Sequence, residues 1–277
     1  MPPSPPRSLA APPRAPRRPH RLVAHGDVRV DDWYWLRDRT DPAVTAYLEA
    51  ENAYTKAVMA PTEALQSRLY DELRSRIQET DLSAPARKGP WWYYTRTLEG
   101  QQYGIHCRRP DPDRGLDALS VLAAAERDAR GGAGDPVSEV ILDENALAAG
   151  SDYFALGVFD VSPDHTLLAY AVDLTGAERY TLRFRDLATG VDLGDEIDGV
   201  YYSSAWAADS RTLFYVRPDE AVRPFQVWRH TVGRPASEDA LVLQEDDERF
   251  FVQVGLTHSE RYVLLTAASK VTTEVRY

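Results

Sequence analysis

From Asp41 onward the apolar positions recur at about helical spacing, with Val44, Tyr47, Leu48, Tyr54 and Val58 separated by polar residues. Asp41 is suited to cap such a helix and Pro42 to its first position, where a missing N–H costs nothing. Pro61 restarts the chain, and Leu65, Leu69, Leu73 and Ile77 then run four apart. Glu63, Asp71, Glu72, Arg74 and Arg76 fall on the opposite, wet side. The pattern predicts two consecutive amphipathic helices over 41–80. The stretch just before them, HGDVRVDDWYWLRD at 25–38, concentrates Trp33, Tyr34, Trp35 and Leu36 between acids and an arginine. That much aromatic surface needs something to lie against.

After Pro85 the period drops to two. GPWWYYTRTLEGQQYGIHCRRP reads as two β-prone runs around a turn at Glu99 and Gly100, a hairpin signal. Residues 111–139 hold a possible short helix and a Gly-rich loop, and VILDENALA returns to a strand followed by a turn. Beyond this point the pattern repeats. Segments 159–190 and 204–233 and the stretch from 254 to the last residue each run strand, Asp/Ser/Pro-type turn, strand with an apolar centre. Aligning Asp164, Asp209 and Ser259 gives steps of 45 and 50 residues, and Gly190 and Gly233 fall at matching turns between third and fourth strands. Short strands at a period of about 40–50 residues are the mark of a β-propeller with one four-stranded blade per repeat. A β-sandwich with coincidental spacing is the competing fold, and three instances with matched turns favour the propeller.

The expected organisation is a Pro/Arg-rich arm at 1–20, an extended and helical segment at 21–85, and an incomplete propeller at 86–277. Its blades span roughly 89–147, 153–200 and 201–250, with a fourth begun at 250. Propellers need about 4–8 blades, because each sheet buries its faces only against neighbours in a closed ring. About three and a half blades leave two open ends, so the chain reads as a fragment.

Composition narrows the function classes. Residues 1–21 hold eight prolines and five arginines, no acid and no apolar core of a secretory signal, which reads as a disordered arm. Formal net charge is −11 despite that basic arm, so the remainder is more acidic still. An acidic body argues against nucleic-acid partners, and no apolar run approaches the roughly 20 residues that span a bilayer. The single cysteine, Cys107, excludes an internal disulfide and a CxxC metal site, and a cytoplasmic setting follows. It sits in an alternating run and reads as a strand-core thiol.

Candidate chemistry is sparse. No Gly is followed two residues later by Ser, so the nucleophile elbow GxSxG is absent, as are a P-loop, a dinucleotide fingerprint and HExxH. The histidines, at 20, 25, 106, 165, 230 and 258, never stand at metal-ligand spacing. His165 and His258 read as exposed turn residues, His106 as a packed or edge side chain, and His25 as part of a turn before Gly26. Asp164 and Asp209 read as turn residues whose carboxylates bond nearby backbone N–H groups. The acidic run Glu245, Asp246, Asp247, Glu248 reads as a solvated loop. No catalytic, cofactor-binding or metal-binding residue is assigned, and no cofactor is expected.

Four motifs, HGDVRVDDWYWLRD, DPAVTAYLEAENAYTKAVM, LYDELRSRIQETDLSAP and WWYYTRTLEGQQYGIHCRR, resemble in order and spacing the N-terminal part of oligopeptidase B, or protease II. This is a branch of the prolyl oligopeptidase family of serine peptidases. VILDENALA and SPDHTLLAY fit the same family, and the resemblance runs from about residue 19 to the end. It implies a seven-bladed propeller capping an α/β-hydrolase domain, with the N-terminal helical segment packed on that domain. Trp33, Tyr34, Trp35 and Leu36 would then lie against the hydrolase. The Ser-Asp-His triad, the oxyanion hole and the acids that select a basic side chain belong to the hydrolase part, which this sequence lacks, so the chain alone is expected to be inactive. The implied activity of the whole is endopeptidase cleavage of short peptides after Arg or Lys, with the propeller restricting access. The implied partners are the hydrolase domain and basic oligopeptides. A stand-alone propeller, closing its ring with a second copy or another chain and acting as a binding module, is the alternative.

Overall fold

A computed structural model describes residues 11–129 and 138–277. Residues 1–10 of the expected arm and the Gly-rich loop around 131–134 lie outside the described residues. The chain forms two units, Met1–Gln78 and Glu79–Tyr277.

In the first unit, β1 (His20–Ala24) and β2 (Asp27–Asp31) pair as an antiparallel hairpin. His25 and Gly26 form its two-residue loop with φ of 52° and 83°, the left-handed pair that a tight hairpin turn requires. A 3-10 turn at Tyr34–Arg37 leads to α1 (Pro42–Met59), a second 3-10 turn at Ala60–Thr62, and α2 (Glu63–Ser75). Asp41 caps α1 by accepting from the Ala43 N–H at 2.8 Å, with Pro42 following it. The second helix stops at Ser75 rather than near 80, because its last turn tightens into i−3 bonds from Arg76 to Leu73 and from Ile77 to Arg74. The arm expected to be loose up to residue 20 is held from Pro16 on. The Pro16 carbonyl accepts from the Trp35 indole N–H at 3.0 Å, and the Arg18 guanidinium lies 4.2 Å over the Trp35 ring. Cation–π contact and a satisfied indole N–H fix a segment that composition alone marks as unstructured.

The second unit is a series of four antiparallel sheets in chain order. Sheet 1 comprises β3 (Asp81–Leu82) and β4 (Ala86–Lys88), both paired to β5 (Trp91–Thr97), then β6 (Ile105–Pro110), α3 (Ala118–Ala129), β7 (Glu139–Asp143) and α4 (Glu144–Ala148). Sheet 2 is β8 (Ala155–Val161), β9 (Leu167–Asp173), β10 (Tyr180–Asp186) and β11 (Asp192–Val200). Sheet 3 is β12 (Ser204–Trp206), β13 (Thr212–Pro218), β14 (Pro224–Thr231) and β15 (Ala240–Gln244). Sheet 4 has three strands, β16 (Phe251–Leu256), β17 (Val263–Ala268) and β18 (Thr273–Arg276). Separate meandering sheets stacked in sequence are blades of a partial propeller, not the two facing sheets of a sandwich.

Two boundaries differ from the sequence reading. The innermost strand of sheet 1 begins at Asp81, inside the segment read as ending at 85, because Pro85 splits it into pieces too short to show a period. The turn expected after VILD is the short helix α4, whose first N–H groups at Asn145 and Ala146 are accepted by Asp143.

The cores lie between blades. Ile141 and Leu142 of sheet 1 pack with Val161, Leu168 and Tyr170 of sheet 2. Leu182, Phe184 and Ile197 of sheet 2 pack with Trp206, Leu213 and Tyr215 of sheet 3. Val216 and Val227 of sheet 3 pack with Val252 and Val254 of sheet 4. The strand LLAYAVD of β9 is buried along nearly its whole length because both its faces meet apolar side chains. The other face of sheet 1 is covered by α3, where Val121 and Ala125 meet Trp92, Tyr94 and Cys107. Cys107 is a strand-core thiol, 2% exposed, and burial pushes its pKa up.

Candidate functional site

The first strands of sheets 2, 3 and 4 lie beside one another, which makes them the inner rim of the arc. The Trp206 indole donates to the Asp160 carbonyl at 3.0 Å and the Ser203 hydroxyl to the Val254 carbonyl at 2.6 Å. At one end of this rim stand the turns between first and second strands. Each carries a non-glycine residue at positive φ in the same place, His165 at 63°, Ser210 at 56° and Glu260 at 56°. Asp164 and Asp209 hold two of these turns as expected: Asp164 accepts from the Thr166 N–H at 3.1 Å, and Asp209 from Arg211 and Thr212 at 2.9 and 2.8 Å.

Charged groups gather here. Lys88, at the end of β4, places Nζ 3.7 Å from Glu260 Oε1 and donates to the Val161 carbonyl at 3.4 Å. Asp160 on β8 is close enough to Lys88 and Glu260 to feel both charges and accepts a long bond of 3.4 Å from the Ser204 hydroxyl. Burial pushes its carboxyl up to about 6, against the opposing pull of Lys88.

His165 is not the exposed turn residue the sequence suggested. It is half-buried, with Nδ1 2.8 Å from the Tyr93 hydroxyl and its carbonyl accepting from Arg108 at 2.7 Å. A Cβ on Gly89, itself at φ 57°, would lie 2.6 Å from His165 Nε2, so the glycine makes room for the ring. Burial, then the charges of Lys88 and Arg108, lower the pKa of His165. His258 is exposed. His106 is packed: Nε2 is 2.8 Å from Glu144, Nδ1 is 3.2 Å from Thr95 Oγ1, and the ring stacks on Phe159 at 4.1 Å. The acidic run at 245–248 is a loop, partly tied down by Asp247, which accepts from Arg249.

His230, which the sequence left without a role, is completely buried. Its ring nitrogens face Asp239 at 2.7 Å and Asp195 at 3.3 Å, and Asp239 also accepts from the Tyr215 hydroxyl at 2.8 Å. Sheet 2 repeats the trio as Tyr170, Arg185 and Asp192, with bonds to the aspartate at 2.7 Å from both partners. Sheet 1 has a related set in Tyr93, Arg108 and Glu139, the last two 2.7 Å apart. A tyrosine followed fifteen residues later by a base, at 93/108, 170/185 and 215/230, is the sequence signal for it. These trios join blades: Arg108 reaches the His165 and Leu187 carbonyls, Arg185 the Ile141 carbonyl, and His230 both Asp195 and the Phe184 ring. Among the described residues no histidine nitrogen is bonded to a serine or cysteine, and no cluster of three or more metal-ligating side chains forms.

The first unit carries a second candidate surface. Leu65, Leu69 and Leu73 form one face of α2, with Ile77 just beyond its end; they are 44, 46, 61 and 66% exposed, and no residue of that helix is buried. Trp33 is 46% exposed. A continuous apolar stripe left in water marks an interaction surface. Among the described residues no helix is long and apolar enough to cross a membrane.

The family model for the N-terminal β-propeller domain of prolyl oligopeptidase matches residues 13–277. Dipeptidyl aminopeptidase BI of Pseudoxanthomonas mexicana is 44% identical over 272 residues, covering 96% of this chain and 37% of the relative. Protease 2 of Moraxella lacunata is 34% identical over 265 residues, covering 95% and 36%. Oligopeptidase B from Leishmania major superposes with a TM-score of 0.83 at 31% identity, covering 96% of this chain and 37% of that one. The chain thus spans little more than a third of the length of these relatives.

Proposed function

Since the chain belongs to the prolyl oligopeptidase family, as the N-terminal propeller portion in its oligopeptidase B branch, we propose that it is the access-restricting part of a serine-type endopeptidase that cleaves short peptides after Arg or Lys in the cytoplasm. The observation that carries this reading is the family match over 13–277. The catalytic Ser, His and Asp would come from an α/β-hydrolase domain, and the surface for that domain would be the stripe of Leu65, Leu69, Leu73 and Ile77 with Trp33. The arc of blades would stand over the hydrolase and exclude folded proteins by size. The acidic balance of the chain favours cationic peptides, and the one cysteine suits a reducing compartment.

The test compares residues 1–277 alone with a polypeptide that continues into the hydrolase domain, on peptide amides ending in Arg, Lys or Pro. The short chain is expected to show no turnover. The long one is expected to cleave after Arg and Lys, to accept amino-blocked substrates, and to lose activity to a serine-directed inhibitor. Inhibitor-sensitive turnover by 1–277 alone, or preference for Pro in the long form, overturns the reading. A strict need for a free amino terminus would instead place the enzyme with the relative named as an aminopeptidase.

A further inference from the structure

Lys88 belongs to sheet 1 and Glu260 to sheet 4, the two ends of the series, yet their charged groups meet at the rim, 3.7 Å apart. Among the described residues no apolar cluster joins these two sheets, in contrast to each consecutive pair. We propose that Lys88 and Glu260 form a breakable ionic latch across the inner rim of the arc, setting the width of the opening at the end where the first-to-second-strand turns lie. Three features suit a latch rather than a fixed brace. The contact is long and both partners are partly exposed, at 32 and 50%, so solvent competes for it. Lys88 keeps a second acceptor, the Val161 carbonyl, so opening does not strand the ammonium. Asp160 lies near enough for the two charges to act on one another, and Arg108, Asp164 and the His165 ring are other titratable groups close by. Glu260 is held at positive φ in a turn closed by its own N–H to the Thr257 carbonyl at 2.8 Å, which aims the carboxylate at the rim.

The existence of the latch is tested on the 277-residue chain by zero-length carbodiimide coupling, which joins a lysine amine to a carboxylate only in contact, followed by peptide mass spectrometry. A Lys88–Glu260 amide is expected at low salt. It is expected to fall several-fold near 1 M salt, where the Debye length shrinks to about 3 Å. Glu260→Gln and Lys88→Met should abolish it, and the charge swap Lys88→Glu with Glu260→Lys should restore it in reverse, which also guards against misfolding of the single variants. Absence of the amide while Glu260 couples to an added small amine and Lys88 is acylated by an added amine-reactive ester overturns the proposal, as does a yield indifferent to salt. Its consequence for peptide access rests on the function proposed above and is read separately, in the hydrolase-bearing polypeptide. There Glu260→Gln should raise cleavage of a peptide several times longer than a tetrapeptide relative to the tetrapeptide itself. An unchanged ratio with the amide still formed leaves the latch and removes the access reading.

Discussion

Replacing Asp160 by Asn should stabilise the propeller unit above neutral pH and do nothing in acid. An aspartate in water has a pKa near 3.9, and burial pushes Asp160 up to about 6. The protonated carboxyl is therefore the form the fold prefers. The stability it contributes is fully present below about 3.9 and is lost as pH rises through about 6. At 1.36 kcal/mol per pH unit the ionised form costs about 3 kcal/mol, which the partial exposure of the group reduces to about 1–2 kcal/mol. Asn keeps the shape and still accepts from Ser204, and it removes the charge. For a unit of this size about 1 kcal/mol corresponds to roughly 2–4 °C, so Tm should rise by about 2–8 °C at pH 7.5. The assay is a pair of thermal melts at each of several pH values between 4 and 8, read as the difference between variant and parent, so that other titrating groups cancel. The reasoning is refuted if Asn destabilises at pH 7.5, which would mean the pull of Lys88 outweighs burial, or if the gain is the same at pH 4.

Three further outcomes follow from contacts already described. Gly157→Ala puts a Cβ 2.6 Å from the Tyr180 ring, which is 3% exposed, so overpacking should cost about 1–3 kcal/mol in denaturant melts, and Tyr180→Leu in the same chain should recover part of it. Asp239→Ala leaves Tyr215 and the wholly buried His230 without their shared acceptor and should destabilise by about 3–5 kcal/mol, measured by urea unfolding. Leu69→Ser with Leu73→Ser should change the stability of this chain by less than about 0.5 kcal/mol per site, because both are exposed, and should weaken capture of a separately supplied hydrolase domain in a pull-down.

What the sequence made legible is what depends on neighbours along the chain. Blade turns announced themselves because Asp164 and Asp209 bond backbone two or three residues away, and because Gly190 and Gly233 sit at φ of 70° and 89° between third and fourth strands. Strand alternation located the sheets for the same reason, and the helices of 42–75 followed from their apolar spacing. What it hid depends on distant residues. Local pattern places His165 in an exposed turn, but its surroundings are set by Tyr93 and Gly89, more than seventy residues earlier. The pieces β3 and β4 are two and three residues long, too short for any period to be visible. The hold of Arg18 on Trp35 was masked by a composition that normally means disorder. Most of the site lies in that second class: the meeting of Lys88 with Glu260 joins residues at opposite ends of the sheet series, a distance no local pattern spans.

The recurring trio of tyrosine, base and acid bears on how consecutive blades of this propeller portion hold one another. Blades touch mainly their sequence neighbours, so each interface between consecutive blades must set their relative placement. Apolar packing supplies most of that hold, but it is non-directional and would tolerate a blade sliding or rotating on its neighbour. The trios add direction. Each places a base in the third strand against an acid in, or just before, the fourth and sends that base on to a fixed atom of a neighbouring blade, an Ile141 or Leu187 carbonyl or the Asp195 carboxylate. The bases are largely buried and bonded on several sides, so they have few alternative partners and fix register more than they add net stability. Sheet 1 varies the arrangement, with Arg108 directly opposite Tyr93 instead of two residues diagonal as in the other sheets, and it is also the sheet whose far face meets α3 instead of a blade. The bond geometry therefore changes where the neighbour changes, as expected if the trios serve to orient one blade on the next. A rim whose blades are fixed in register is also what lets one weak ion pair, Lys88 with Glu260, find the same partner across the opening each time it closes.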